Sequence, residues 1–326
     1  MEPQPHVGHE PTGHEPRLAR ERRRLGGVLA PVLTPFQADL SPDPRRFANH
    51  CRWLLAQGCA ALAPFGTTSE ANSLSIEERE RLLEYLLADG ADPARLLPGT
   101  GCCALPDTVR LTRLATRHGC AGVLMLPPFY YKGVTDDGLF RSFAEVIERV
   151  GDARLRVYLY HIPPVAHVGI GPKLVERLLA AYPGVVAGMK DSSGDWQNTK
   201  AMLDAFARSG FDVFVGSEKF LLAGMRNGGV GCITASANVN AAAIDRLYRE
   251  WRSPDADRLQ EGVNAIRDAL EKVPVIPGLK QVVAHHAGDA AWRTVRPPLA
   301  DLGPAATAAL LADLERLGFA MPGLRS

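Results

Sequence analysis

AGVLMLPPFYYKGVTDDGLFRSFAEVIERVGDARLRVYLYH, residues 121–161, holds one complete structural unit. The runs 121–126 and 155–161 are short, apolar and β-rich. Between them, Asp136-Asp137-Gly138-Leu139-Phe140 opens a segment of helical periodicity with acidic residues in its first turn. Strand, helix, strand in that order implies a right-handed crossover and a parallel sheet. Similar strand runs lie at 28–34, 60–65, 95–99, 184–189, 211–215 and 229–233, and Ser75-Ile76-Glu77-Glu78 is a second helix start. Eight such units in about 230 residues predict an α/β fold, a closed (β/α)8 TIM barrel over 27–253, rather than an open doubly wound sheet. No G-x-G-x-x-G follows a strand and no G-x-x-x-x-G-K-[ST] occurs, which removes the usual dinucleotide and P-loop readings.

The flanks differ in composition. Residues 1–26 are rich in Pro, His, Glu and Arg and nearly empty of large apolar side chains, so a disordered tail is expected. Its basic cluster, Arg20, Arg22, Arg23 and Arg24, reads as solvated rather than as a polyanion site. After the last predicted barrel helix, near 240–252, helical stretches at 255–270, 275–287 and 304–318 are punctuated by Pro274, Pro277, Pro297 and Pro298. These predict a C-terminal helical extension, 254–326, packed on the barrel.

The 326 residues carry 37 basic and 36 acidic side chains and are 46% hydrophobic. Such a chain can build one large domain with a sizeable core or two smaller ones, and its near-zero net charge gives no general attraction to nucleic acid or anionic membranes. No apolar run approaches a membrane span and no secretory signal is seen, so a soluble cytoplasmic protein is expected. Six cysteines, including the adjacent Cys102 and Cys103, match no common zinc or C-x-x-C pattern, and buried reduced thiols are expected. The nine histidines show no metal-binding spacing, so neither a metal nor a cofactor is expected.

In a barrel of this kind chemistry gathers at the C-terminal ends of the strands. Lys190 ends the apolar run Val185-Val186-Ala187-Gly188-Met189 and precedes Asp191-Ser192-Ser193-Gly194. Desolvation disfavours the charged form of a lysine so placed, and an unprotonated amine there can attack a carbonyl to form a Schiff base. Snorkelling to solvent is the plainer alternative. Thr67 and Thr68 follow the second predicted strand, Tyr130 and Tyr131 the fourth, Tyr160 ends the fifth, and Gly216-Ser217-Glu218 leaves the seventh. Each has a structural reading too: a helix cap, an interface aromatic, a core tyrosine. Their convergence on one rim favours a site.

The motifs Gly66-Thr67-Thr68-Ser69-Glu70, Phe129-Tyr130-Tyr131, Tyr160-His161-Ile162-Pro163, Gly188-Met189-Lys190-Asp191, Gly228-Gly229-Val230-Gly231 and Val295-Arg296-Pro297-Pro298-Leu299 resemble those of the dihydrodipicolinate synthase and N-acetylneuraminate lyase family. The similarity runs over about residues 27–317. It implies a pyruvate-type Schiff-base aldolase or lyase, usually a homotetramer, acting on a 2-oxo acid without a further cofactor. By that resemblance Lys190 forms the imine and Tyr160 is the general acid/base. Thr67 links Tyr160 to Tyr131, which arrives from a neighbouring subunit, and Thr67 and Thr68 hold the carboxylate. The Ile233 carbonyl helps orient Tyr160 or the lysine. Dihydrodipicolinate synthases place an arginine shortly after the tyrosine of the fifth strand. Here the sequence is His161-Ile162-Pro163-Pro164-Val165-Ala166-His167, and apolar Val165 offers no such clamp. Ser69 also replaces the family's usual glycine. Ser192, His161, His167, Gly216 and Glu218 are the groups available to a hydroxylated substrate, which favours a 2-keto-3-deoxy sugar acid. Dehydration, or hydration with aldol cleavage, through the same imine is a second reading. 4-Hydroxy-tetrahydrodipicolinate synthesis without the arginine is a third, and a non-catalytic 2-oxo-acid-binding protein a fourth.

Overall fold

The computed structural model describes residues 24–325. Seven parallel strands form one curled sheet: β1 (Gly27–Ala30), β2 (Ala61–Leu62), β3 (Val123–Met125), β4 (Val157–His161), β5 (Val186–Asp191), β6 (Asp212–Val215) and β7 (Gly231–Ile233), in the order β2-β1-β7-β6-β5-β4-β3. Helices connect them, as the alternating pattern predicts. The run expected as a strand at 95–99 forms no regular strand. It makes single parallel bridges instead, Leu96 to Leu62 of β2 and Gly99 to Leu124 of β3. Leu97 N donates to Leu62 O at 2.8 Å and Thr100 N to Leu124 O at 3.0 Å, so this segment joins the two sheet edges. Pro98 has no N–H to give to a ladder, which is one reason the pairing stays irregular.

Side-chain alternation separates two buried layers. Leu29, Ala61, Leu97, Leu124, Tyr158, Tyr160, Phe214 and Ile233 meet in one cluster enclosed by the strands. The other parity, including Val157, Leu159, Met189, Val213 and Val215, packs with the surrounding helices in the larger core. Lys190 has the enclosed parity of Gly188, and Tyr160 that of Tyr158. A Cβ on Gly188 would come within 2.8 Å of the Tyr158 ring and 2.4 Å of Asp212 O, so glycine here makes room for the tyrosine.

The predicted helix starts are realised through their caps. Ser75 and Glu78 form a reciprocal capping box on the helix Ile76–Ala88. Thr135 caps the helix Asp136–Val150, whose first turn is acidic and which ends on left-handed Gly151. After the last strand come the helices Ala237–Arg249, Ala256–Leu270, Val275–Ala287 and Pro304–Arg316. Their apolar faces, Val263, Ile266, Leu279, Val282 and Leu310 among them, belong to the same core as the sheet's outer layer.

Most of the expected tail, residues 1–23 with Arg20, Arg22 and Arg23, lies outside the described residues. Arg24 and Leu25 are part of the fold. Arg24 Nε donates to Asp212 Oδ1 at 2.8 Å, and Tyr158 Oη donates to Asp212 Oδ2 at 3.0 Å. Burial raises the Asp212 carboxyl above its ordinary range against the opposing pull of Arg24, and burial raises the Tyr158 phenol. This network lies at the strands' N-terminal ends. All six cysteines are free, and Cys51, Cys59, Cys120 and Cys232 are buried as expected. Cys103 corrects that expectation: it is exposed, and Cys102 is half-buried. No described helix is long and apolar enough to cross a membrane.

Candidate active site

Lys190 and Tyr160 are register partners on adjacent strands, so their shared parity brings them side by side. Lys190 Nζ donates to Tyr160 Oη at 3.2 Å and lies 4.3 Å from the centre of the phenol ring. Thr67 Oγ1 is 3.3 Å from the same Tyr160 oxygen. Amine, phenol and hydroxyl thus form one continuous chain. Lys190 and Tyr160 are almost fully buried, which concentrates electrostatic effects between them.

The loop after β2 is held by its own hydrogen bonds. Ser69, the residue in place of glycine, accepts from Gly66 N through Oγ at 3.2 Å, and its carbonyl accepts from Thr34 Oγ1 at 2.7 Å. The substitution therefore stabilises the turn that carries both threonines. Glu70 is left-handed, at φ 55°, and turns its carboxylate away from the cavity into the protein. There it meets Lys280 in an ion pair with both side chains fully buried. Glu70 Oε2 also accepts from Arg296 N at 2.9 Å, and Lys280 Nζ donates to Thr294 O at 2.8 Å. Burial lowers the Lys280 ammonium to about 8, with Glu70 opposing the shift.

A cavity of about 390 Å³ opens over Lys190. Thr67, Thr68, Tyr160, Lys190, Ser192 and Gly216 all line it, so the structure gathers six of the residues singled out in the sequence. A Cβ on Gly216 would fall 2.0 Å from Ser192 Oγ, so only glycine lets the exit of β6 lie against that serine. Asp191, next to the lysine, accepts from Ser193 N, Asn198 Nδ2 and Thr199 Oγ1, which fixes the loop that presents Ser192.

Other expected contacts lie elsewhere. Glu218 is fully buried and does not line the cavity. Its carboxylate takes hydrogen bonds from the Thr234 and Ser236 hydroxyls and faces Arg267 Nη1 at 3.3 Å. A carboxylate so enclosed needs these partners, and they use the oxygens a substrate would need. His161 has the opposite parity to Tyr160 and turns away. Its Nδ1 accepts from Ile170 N at 2.9 Å and its Nε2 lies 4.0 Å from Asp191. Burial lowers its pKa, with Asp191 opposing, and the ring is neutral at physiological pH. His167 follows the short helix Pro163–Ala166 and also lies outside the cavity lining. Ile233 belongs to the enclosed cluster beneath Tyr160. Tyr131 is 73% exposed, edge-on to Tyr130 with ring centres 5.3 Å apart, and lines no part of this cavity.

Five lining residues escaped the sequence reading, apolar Phe220 and Ala235 and charged Lys219, Arg267 and Glu271. Arg267 and Glu271 stand four apart on a helix after the last strand, a spacing that in sequence looks like any solvated helix face. The acidic and thiol groups of the described residues form no cluster able to hold a metal ion.

The model of the dihydrodipicolinate synthetase family matches residues 24–317. The chain belongs to that family. Its members are lyases, and relatives match at full length. A DapA-like lyase of Chloroflexus aurantiacus is 32% identical over 89% of this chain and 96% of its own. Among solved structures, dihydrodipicolinate synthase from Agrobacterium tumefaciens is 32% identical with a TM-score of 0.84, over 90% of this chain and 99% of that one. YagE, a prophage protein of the dihydrodipicolinic acid synthase family from E. coli K12, was solved in complex with pyruvate. It is 26% identical with a TM-score of 0.82, over 90% and 99% of the two chains.

Proposed function

We propose that this protein is a Schiff-base aldolase or lyase that makes or breaks a carbon–carbon bond next to a pyruvate unit. The observation that carries the reading is the contact chain Lys190–Tyr160–Thr67 inside one cavity. The pyruvate bound to YagE supports the choice of keto acid. The scaffold in this reading is a closed (β/α)8 barrel with the helices after residue 253 as an extension. The bonding of residues 96–100 to both sheet edges supports closure.

The chemistry follows from the atoms in place. The Lys190 amine adds to the ketone carbon and water leaves, giving an iminium. The Tyr160 oxygen, deprotonated along the hydroxyl chain, takes a C3 proton to give an enamine, whose carbon bonds to an aldehyde carbon as the carbonyl π bond opens to an alkoxide. Tyr160 Oη protonates the resulting alkoxide, and hydrolysis of the iminium frees the product and the lysine. Cleavage is the reverse. Tyr160 reaches both the amine and Thr67, so its proton can pass along hydroxyls, and Thr67 and Thr68 offer the donors for the keto-acid carboxylate.

Two outcomes follow. Activity with pyruvate plus aspartate semialdehyde is expected to be poor, because Val165, 59% exposed, carries no guanidinium. The loss of a charge-assisted contact costs about 1.5–3 kcal/mol, a tenfold to hundredfold penalty in catalytic efficiency. An efficiency for that pair above every sugar-acid substrate overturns the expectation. The second concerns assembly into a homodimer or homotetramer, in which Tyr131 completes a neighbour's site. The loop is stiffened by Pro127 and Pro128 and anchored where Lys132 Nζ donates to Ala166 O at 2.9 Å. Mixing inactive Lys190→Ala and Tyr131→Phe subunits should restore part of the activity after subunit exchange. Verified exchange without recovery places Tyr131 outside the partner's chemistry.

A further inference from the structure

Part of the lining of the Lys190 cavity is one ladder of charges. Lys219 follows β6, while Arg267 and Glu271 belong to the helix Ala256–Leu270 and its C-terminal cap. Glu271 joins the two cations: its Oε1 accepts from Arg267 Nε at 2.7 Å and its Oε2 from Lys219 Nζ at 2.6 Å. Asp268 holds Lys219 from the other side at 2.6 Å, and Arg267 Nη1 faces Glu218 and Thr234, each at 3.3 Å. Arg267 Nη2 makes no hydrogen bond among the described residues, and Lys219 Nζ retains a third N–H.

Two cations face three carboxylates in this ladder, Glu218, Asp268 and Glu271, so its local charge is −1. Asp268 and Glu271 hold Lys219 charged, and Glu218 holds Arg267 charged against its burial. A second carboxylate arriving here could accept from the spare N–H groups, but it has no proton to give and would lie beside the Glu271 carboxylate, with Glu218 and Asp268 behind the lining adding to the repulsion. A hydroxyl both donates and accepts. It can take the spare N–H groups and give its proton to a free lone pair of Glu271. A hydrocarbon tail would leave the same N–H groups buried and unpaired.

We propose that Lys219, Arg267 and Glu271 are specificity-determining residues that select an acceptor carrying a neutral hydroxylated tail and disfavour one ending in a carboxylate. The inference rests on the Schiff-base reading and specifies the part of the substrate remote from the imine. It also explains why Val165 can stand where a carboxylate clamp is absent. The recognition elements belong to other segments, after β6 and on the helix Ala256–Leu270 with its cap, and are built for a different tail.

The test compares three aldehydes at saturating pyruvate: glyceraldehyde, succinate semialdehyde and butanal, each read as kcat/KM. Glyceraldehyde is expected to lead both others by roughly tenfold or more. Lys219→Met, Glu271→Gln and Arg267→Lys should each compress the glyceraldehyde-to-butanal ratio by roughly tenfold. A ratio measured within one preparation does not depend on how much of a variant is folded, so a purely structural role leaves it unmoved. A ratio unchanged in all three variants, or a wild-type preference for succinate semialdehyde, overturns the proposal. Borohydride trapping of pyruvate on the wild type separates this from its parent. An adduct with unmoved ratios removes only the specificity assignment, whereas no adduct removes the Schiff-base reading beneath it.

Discussion

Reduction by borohydride in the presence of pyruvate adds one pyruvate-derived mass per chain, and peptide mapping places it on Lys190 and on no other lysine. The expectation follows from placement. Lys219 is tied to two carboxylates, and Lys280 is sealed against Glu70 with no access to the cavity. Lys190 alone has its nitrogen beside a phenol, at the floor of a cavity wide enough for a keto acid. Replacing it with alanine removes the electron sink itself, so turnover should fall by at least about a thousandfold, more than 4 kcal/mol of transition-state stabilisation. The fold should persist, because among the described residues this amine bonds only the Tyr160 phenol and joins no ion pair. Intact mass, circular dichroism and rate together check it. A wild type that gives no adduct with any 2-oxo acid ends the Schiff-base mechanism.

The second large effect is expected far from the amine. Lys280→Met leaves the Glu70 carboxylate buried without its cation, and Glu70→Gln leaves the ammonium so. Breaking one side of a fully buried pair costs about 3–5 kcal/mol, and each single variant should lose that much stability in urea denaturation. The double variant should recover most of it, because the burial cost that holds Lys280 down near 8 disappears with the charge. Activity should separate from stability. Glu70 shares a tight turn with Thr67 and Thr68, and Glu70 N donates to Thr67 O at 3.1 Å. The double variant should therefore stay slow even when fully folded, with the apparent KM for pyruvate raised. Equal stability in the two single variants and the wild type rules out this function for the pair.

The alternation of short apolar runs with capped helices made the parallel sheet legible, because each strand's period and each helix start is a local property. The run at 95–99 was less so. Its pairing depends on which edges flank it, and Pro98 interrupts the ladder in a way apolar content does not reveal. Strand-exit position picked out Lys190, Tyr160, Thr67, Thr68 and Gly216, and all five line one cavity with Ser192, two residues after the lysine. Side-chain parity was the missing variable for His161, one residue past Tyr160 and turned to Ile170 and Asp191. Glu218 lies away from the cavity lining for another reason: hydroxyls 16 and 18 residues downstream enclose it, and no local pattern announces them. Arg267 and Glu271 were hidden by distance. They come from a helix beyond the last strand, and only the packing of that helix over the rim brings them to the cavity.

The Glu70–Lys280 pair spans 210 positions, and the Glu70–Arg296 backbone bond spans 226. On a ribosome the threonine loop is made early, and its buried anion waits for a partner until most of the protein has emerged. Contacts of such separation form late, since the chain must close a long loop first. The strands alone therefore do not supply every partner that holds the threonine loop. A chain that stops between Lys190 and Lys280 carries the amine, the phenol and both threonines, yet lacks the strut that sets the loop. The loop that carries Thr67 and Thr68 is braced in full only once the helix that carries Lys280 and the segment that carries Arg296 have docked.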